Sequence, residues 1–311
     1  MFPSINPDAM NRLFKIAVVS LLTLAGLLIV AFVLLRCVFR DEATAMLLDR
    51  QKKERVELLR SAAAYAAEPG ADYRFTYRQD TARAREISRY FRLDTLLQAD
   101  TPTWERALTL ARFVARNIPH ANQSVYPERR NAIGLWEYTR EVEPAFNCRL
   151  HSIMLHELML ASGITNRFVT CLPADSLDND CHVVNLVWLP EREKWAMLDS
   201  DMRAWVSSPD GTPLSLGEMR ERYIAGEQTE IHWLLESRGE EYRSYYDAYW
   251  AKNLYWFESW DTTTYDRENG TQTEGRIIAL VPPGYSGFQQ TATGVRTSDA
   301  ERFWAAPDST E

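Results

Sequence analysis

The sequence of 311 residues has no repeat of fixed period and no low-complexity tract, which excludes solenoids, arrays and compositionally biased linkers. It also lacks a surplus of positive charge. The net charge is −8, and residues 1–40 hold four basic side chains against one acidic, a surplus of three, so the remaining chain carries −11. Such a chain is not built to neutralise phosphates, and nucleic acid is excluded as a partner. The one long apolar run is followed by LLRCVFRDE, with no small-residue cleavage pattern, which argues against a removable leader. Arg36 stands where a lipoprotein processing site before Cys37 requires a small residue. What is present is 46% hydrophobic and 12% aromatic residues, enough for one sizeable core or two small ones and unlike a disordered chain.

The apolar run from Ile16 to Leu35 carries no charge and is flanked by Lys15 and Arg36. At about 1.5 Å per residue it spans roughly 30 Å, the thickness of a hydrocarbon core, so a single transmembrane helix over 16–35 is expected after a short flank of 1–15. Arg12 and Lys15 precede it, while Arg36, Arg40, Arg50, Lys52, Lys53 and Arg55 follow it, a count that favours a cytoplasmic position for the rest of the chain. The charges beyond Asp41 alternate with acidic residues in an amphipathic helix expected to run to about Ala67, so the count leaves the orientation open.

Residues 41–100 form a helical stalk or packing region in this reading, with a stop at Pro69-Gly70, a short strand over Tyr73–Tyr77 and a helix over Thr81–Phe91. A compact core is expected over 101–210. Thr103 is placed as the N-cap of a helix whose stripe of Leu108, Ala111, Phe113, Ala115 and Ile118 ends at Pro119, and a short helix over Ala132–Arg140 follows the polar loop His120–Arg130. Asn147 caps the next helix, with Leu150, Ile153, Met154, Leu158 and Ala161 on one face and Gly163 as its stop. Three β-rich runs follow: Arg167–Leu172, Cys181–Leu189 and Lys194–Ser200. The fold class is therefore α+β, a helix packed on an antiparallel meander. A C-terminal extension over 211–311 is expected to hold a helix at Leu214–Ala225, one or two helices within Ile231–Trp260, a strand at Arg276–Val281 and a loose tail.

Cys148 lies in the first turn of the Asn147-capped helix. A free thiol with pKa near ~8.5 is only slightly ionised at neutral pH, and unpaired N–H groups at a helix start favour the thiolate. The Cys148 amide is also placed to stabilise an oxyanion. An imidazole must then reach the sulfur, and His182 opens the middle strand. If Leu189 pairs with Lys194 around the tight turn, His182 opposes Asp201 and Val184 opposes Asp199, which sets both aspartates on the face of His182. Pairing alone does not choose between them.

The segments Asn147-Cys148, Leu160-Ala-Ser-Gly-Ile-Thr-Asn-Arg167-Phe-Val, His182-Val-Val-Asn-Leu-Val-Trp and Lys194-Trp-Ala-Met-Leu-Asp199 resemble the transglutaminase-like superfamily. That family places a cysteine at the start of a helix, a histidine on the next-but-one strand and an aspartate at the end of the following strand. The resemblance covers roughly Thr103–Val206 and implies a papain-like core in which Cys148 is nucleophile, His182 base and Asp199 the group that orients the base. Asp201 has no counterpart in the pattern. Asn147 stands where many relatives have glycine, and no side-chain oxyanion donor is assignable beyond Trp136 or Gln123. The implied function is a membrane-anchored cysteine enzyme acting on peptide or amide bonds through a thioester, by hydrolysis or acyl transfer, with a peptide or protein as partner and no cofactor.

Other groupings compete for these residues. Cys148, His151, Cys181 and His182 make a possible metal set, but neighbours on a strand point to opposite faces, so no metal is expected. Cys171 and Cys181 end adjacent strands and are read either as a disulfide or as two thiols; a bridge would put the domain in an oxidising, extracytoplasmic compartment. His120, His156 and His232 read as surface or satisfied core residues. The aromatics Tyr242, Tyr245, Tyr246, Tyr249, Trp250, Tyr255, Trp256 and Trp260 read as core or as a groove wall. The alternative function is a non-catalytic peptide- or glycan-binding module, marked by a groove that the loop His120–Arg130 blocks and by binding at the tryptophans near Trp256.

Overall fold

A computed structural model describes residues 7–68, 72–98, 100–269, 275–287 and 294–308, with side chains described from 11 to 33 and from 42 onward. The first six residues of the expected flank and the Pro69-Gly70 stop lie outside the described residues. The chain divides into two compact units, Met1–Gln51 and Lys52–Glu311.

Helix α1 (Pro7–Ser61) begins in the first unit. Asn11–Val33 within it is long and apolar enough to cross a membrane. Its large side chains from Leu13 to Val33 are mostly more than half exposed. The expected stalk is the same helix continued. It stops at Ser61 rather than Ala67, because the Ala66 amide donates to the Ser298 carbonyl instead of to a preceding turn.

The second unit runs β1 (Thr76–Tyr77), α2 (Thr81–Phe91), α3 (Leu93–Leu96), α4 (Thr103–Asn117), α5 (Ala132–Glu141), α6 (Cys148–Ala161), β2 (Asn166–Leu172), β3 (His182–Leu189), β4 (Lys194–Leu198) and β5 (Ala204–Ser207). It continues with α7 (Leu216–Ala225), β6 (Glu230–Trp233), α8 (Glu240–Asn253), β7 (Trp256–Trp260), β8 (Thr262–Thr263), β9 (Ile277–Leu280), β10 (Gly294–Thr297) and α9 (Ala300–Phe303). Asp80, Asn131 and Asn147 cap α2, α5 and α6 by accepting from amides of the first turn. Thr103 is not the cap of α4. Pro102 holds that position, and the Thr103 amide and hydroxyl both donate to Glu191 Oε1, at 3.0 and 2.7 Å.

The main sheet has the strand order β10-β9-β7-β2-β3-β4, antiparallel except for the β9/β10 pair. Leu189 pairs with Lys194 and Asn185 with Leu198, which is the expected register of the β3/β4 hairpin. One face of the sheet packs Val183, Val187, Leu189, Ala196 and Leu198 against α2, α4, α5 and α6; the other packs Val169, Val184, Leu186 and Met197 against α7, α8 and the last turns of α1. Cover on both faces accounts for the nearly unbroken apolar runs of β3 and β4, as burying such strands requires. This is an α+β fold with α6 packed on an antiparallel sheet. Trp205 and Val206 pair with β6 in a separate two-stranded sheet, and Trp256–Trp260 is a central strand rather than helix. Within the described part of the tail, Phe303 is wholly buried, while residues 309–311 lie outside the described residues.

Candidate active site

Helix α6 begins at Cys148, β3 begins at His182, and β4 ends one residue before Asp199, so α6, β3 and β4 bring the three expected residues to the same end of the sheet. The local chemistry places each of them. The Asn147 side chain accepts from the Leu150 amide at 3.1 Å and so starts α6 at Cys148, whose thiol is half-buried. After β4 the chain turns back through residues 200–203, with Arg203 at φ +65°, and the turn is closed by paired amides and carbonyls of Asp199 and Ala204. That turn aims both aspartates inward.

His182 Nε2 lies 2.8 Å from Asp199 Oδ2, and both side chains are almost wholly buried. Asp199 accepts further from the Met202 amide at 2.9 Å and the Tyr246 hydroxyl at 3.3 Å, so the carboxylate is fixed by three donors. Tyr249 and Trp250 of α8 hold the imidazole edge-on, with centroids 5.4 and 5.5 Å away. Nδ1 is then the nitrogen left for the cleft. Burial pulls the His182 pKa down, but the Asp199 charge and hydrogen bond, helped by Cys148, carry it well above its ordinary value.

Asp201 belongs to the same cluster. The Cys148 sulfur, a His182 ring nitrogen and an Asp201 carboxylate oxygen lie within 4.8 Å of one another. This is the metal-capable grouping among the described residues, and it differs from the expected one with His151 and Cys181. His120 Nδ1 sits 2.8 and 3.0 Å from the two Asp201 oxygens, and His151 Nε2 is 3.5 Å from Oδ1. Burial pushes the Asp201 pKa up, yet the His120 hydrogen bond and the nearby His151 and His182 hold it below the usual range. The same hydrogen bond raises His120. His120 is thus no ordinary surface residue. Backbone bonds from Phe146 to Pro119 and from Ala121 to Phe146 tie its segment beside the start of α6, a long-range pairing with no local signal.

These groups line an open cleft of about 820 Å³, whose walls include Asn122 and Tyr126 of the His120–Arg130 loop and Tyr242, Tyr245 and Tyr249 of α8. The expected aromatic cluster is divided accordingly: Tyr246 and Trp250 are wholly buried, while Tyr242, Tyr245 and Tyr249 face the cleft. Gln123 spends its amide on the Ala121 and Ala145 carbonyls, and Trp136 stacks on Phe113; neither lines the cleft as an oxyanion donor would. Cys171 and Cys181 are separate thiols, and burial pushes the pKa of both upward. The bridge that would have pointed to an oxidising compartment is not made. His156 is satisfied in the core by Asn166 at 2.7 Å, and His232 stacks on Trp205 with centroids 4.0 Å apart.

A thiol at the head of a helix, packed on an antiparallel sheet that carries a histidine–carboxylate pair, defines a papain-like class of α+β domain. Residues 78–200 match the model of the Transglutaminase-like superfamily. The matched stretch includes Cys148, His182 and Asp199 and ends one residue before Asp201. A solved structure from Cytophaga hutchinsonii, described as a candidate cysteine protease, aligns at 12% identity with a TM-score of 0.31 over 52% of this chain. The aligned region spans 56% of that protein's length. No curated protein matches the chain.

Proposed function

We propose that the chain is a membrane-anchored cysteine enzyme that cleaves or transfers peptide or amide acyl groups, with Cys148 as nucleophile, His182 as base and Asp199 as the group that orients the base. The observation that carries the reading is the continuous line from the Cys148 thiol through the His182 ring to the Asp199 carboxylate, laid along an open cleft. His182 Nδ1 takes the thiol proton, and the thiolate adds to the carbonyl carbon while the carbonyl electron pair moves onto oxygen. Backbone N–H groups at the start of α6, that of Cys148 among them, stabilise that oxyanion. When the intermediate collapses, the C–N bond breaks, His182 returns its proton to the departing amine, and a thioester remains on Cys148. Water then gives hydrolysis, and an amine gives transfer.

The raised pKa of His182 favours imidazolium, the partner a thiolate needs. The open cleft also supports an enzyme over a binding module, since Trp256 is buried with its indole N–H donating to the Pro173 carbonyl at 3.0 Å. The exposed apolar stretch Asn11–Val33 is the anchor in this reading. Iodoacetamide at pH 7 should modify Cys148 selectively over Cys171 and Cys181, and Asp199→Asn should slow that modification at least tenfold and turnover of a peptide library about 10²- to 10⁴-fold. An inert Cys148 beside a reactive Cys171 or Cys181 defeats the proposal.

A further inference from the structure

Asp201 has no part in the line from Cys148 to Asp199, and its position opposes that line. A carboxylate within 4.8 Å of the sulfur disfavours a thiolate by like-charge repulsion. The same placement is favourable when a cation lies between them.

We propose that Cys148, His182 and Asp201 form a zinc site laid over the nucleophile, so that Zn²⁺ and an acyl donor compete for one sulfur. The competition rests on the nucleophile reading above; the metal site does not. A tetrahedral zinc with N and O ligands at about 2.0–2.2 Å and sulfur at about 2.3 Å holds its ligand atoms roughly 3.5 Å apart. The three atoms here fall within 4.8 Å, so a closure of about 1 Å brings them to that spacing. Thiolate, imidazole and carboxylate together suit zinc, whereas magnesium and calcium prefer oxygen alone. The half-buried thiol faces the cleft, which leaves the fourth position open to water.

The surroundings strengthen the assignment. A zinc-binding histidine normally gives its second nitrogen to a carboxylate, and His182 Nε2 already lies 2.8 Å from Asp199. The ligand carboxylate is held in turn by His120 at 2.8 Å. Behind it His151 is wholly buried, has no hydrogen-bond partner on either ring nitrogen among the described residues, and lies 3.5 Å from Asp201. Two of the three ligands are thus positioned before any ion arrives.

The test uses the full chain in detergent with chelator-buffered Zn²⁺, following the rate at which iodoacetamide modifies Cys148, and with Co²⁺, following thiolate-to-cobalt charge-transfer absorption. Zinc should slow alkylation at least tenfold, and Asp201→Asn should weaken that protection by about 10- to 100-fold, each variant being compared with its own metal-free rate. Should Asp201→Asn not fold, His120→Gln, which loosens the carboxylate without removing a ligand, should weaken zinc about tenfold. Protection unchanged in these variants, or cobalt binding without the charge-transfer band, overturns the site. A Cys148 that resists alkylation even in excess chelator defeats the nucleophile reading instead, and the cobalt band with its loss in Asp201→Asn then decides the metal site alone.

Discussion

Arg167 is 1% exposed on β2, its guanidinium 4.1 Å from the Phe75 ring centroid, 5.2 Å from Trp195, 5.0 Å from Phe303 and 5.6 Å from Trp304. Nη2 donates to the Phe303 carbonyl at 2.6 Å, while Nε and Nη1 have no partner among the described residues, and burial lowers its pKa. Ring faces, not a carboxylate, hold this charge, and they pack Phe303 and Trp304 of the tail against β2. Arg167→Met keeps the volume and removes the desolvation cost, so its urea midpoint should correspond to a change within about 2 kcal/mol, whereas Arg167→Ala should lose about 3–5 kcal/mol to a cavity. At this scale the sequence was legible where a motif sets order along the chain, as for Cys148, His182 and Asp199. The hairpin ladder stops at Asn185 and Leu198, so Asp201 does not pair with His182 as the register would extend; the turn after Asp199 is what brings it to the cluster. Nothing local announced His120, because its place depends on a backbone bridge to Phe146.

Helix α6 is set by its first residue and its middle. Asn147→Ala removes the acceptor for the Leu150 amide and should cost about 1 kcal/mol in chemical denaturation. Asn147→Asp should keep the cap yet slow alkylation of Cys148, since a carboxylate beside the thiol disfavours thiolate. Glu157 accepts from the Ala132 amide at 2.8 Å and the Asp266 amide at 2.6 Å, joining α6 to the start of α5 and to the segment after β8. Burial pushes its pKa up to about 7 against the pull of those two amides. The folded state therefore holds this proton more tightly than the unfolded chain, whose glutamate titrates near ~4.3. The stability it contributes is full below that value and is lost as pH rises through 7. Thermal unfolding from pH 4.5 to 7.5 should show that decline in the parent chain and a flatter profile in Glu157→Gln. Helices with caps and apolar stripes, α2 and α6 above all, were readable because their determinants are local. Strand β7 was not: its aromatics mimic helical spacing, and its pairing with β2 is invisible without the fold.

For the whole molecule, the exposed apolar stretch Asn11–Val33 and the self-contained unit Lys52–Glu311 predict separable behaviour. The full chain should sediment with membranes and resist alkaline extraction. A chain beginning at Glu42 should stay in solution with an unchanged unfolding midpoint; release of the full chain by alkali alone would count against the anchor. The free thiols Cys171 and Cys181 remove the support for an extracytoplasmic side, an inference that chain order alone could not test. The strand order has a consequence for biosynthesis. Strand β2 pairs on one edge with β3, which follows it closely, and on the other with β7, so Cys171 waits for Phe257. During synthesis β2 and its hairpin partners emerge well before β7, so the β2 edge stays unpaired until Trp256–Trp260 and the strands β9 and β10 beyond it have been made. A premature stop codon before Trp256 removes the partner of that edge and should yield a fragment that aggregates on expression, where the full chain does not.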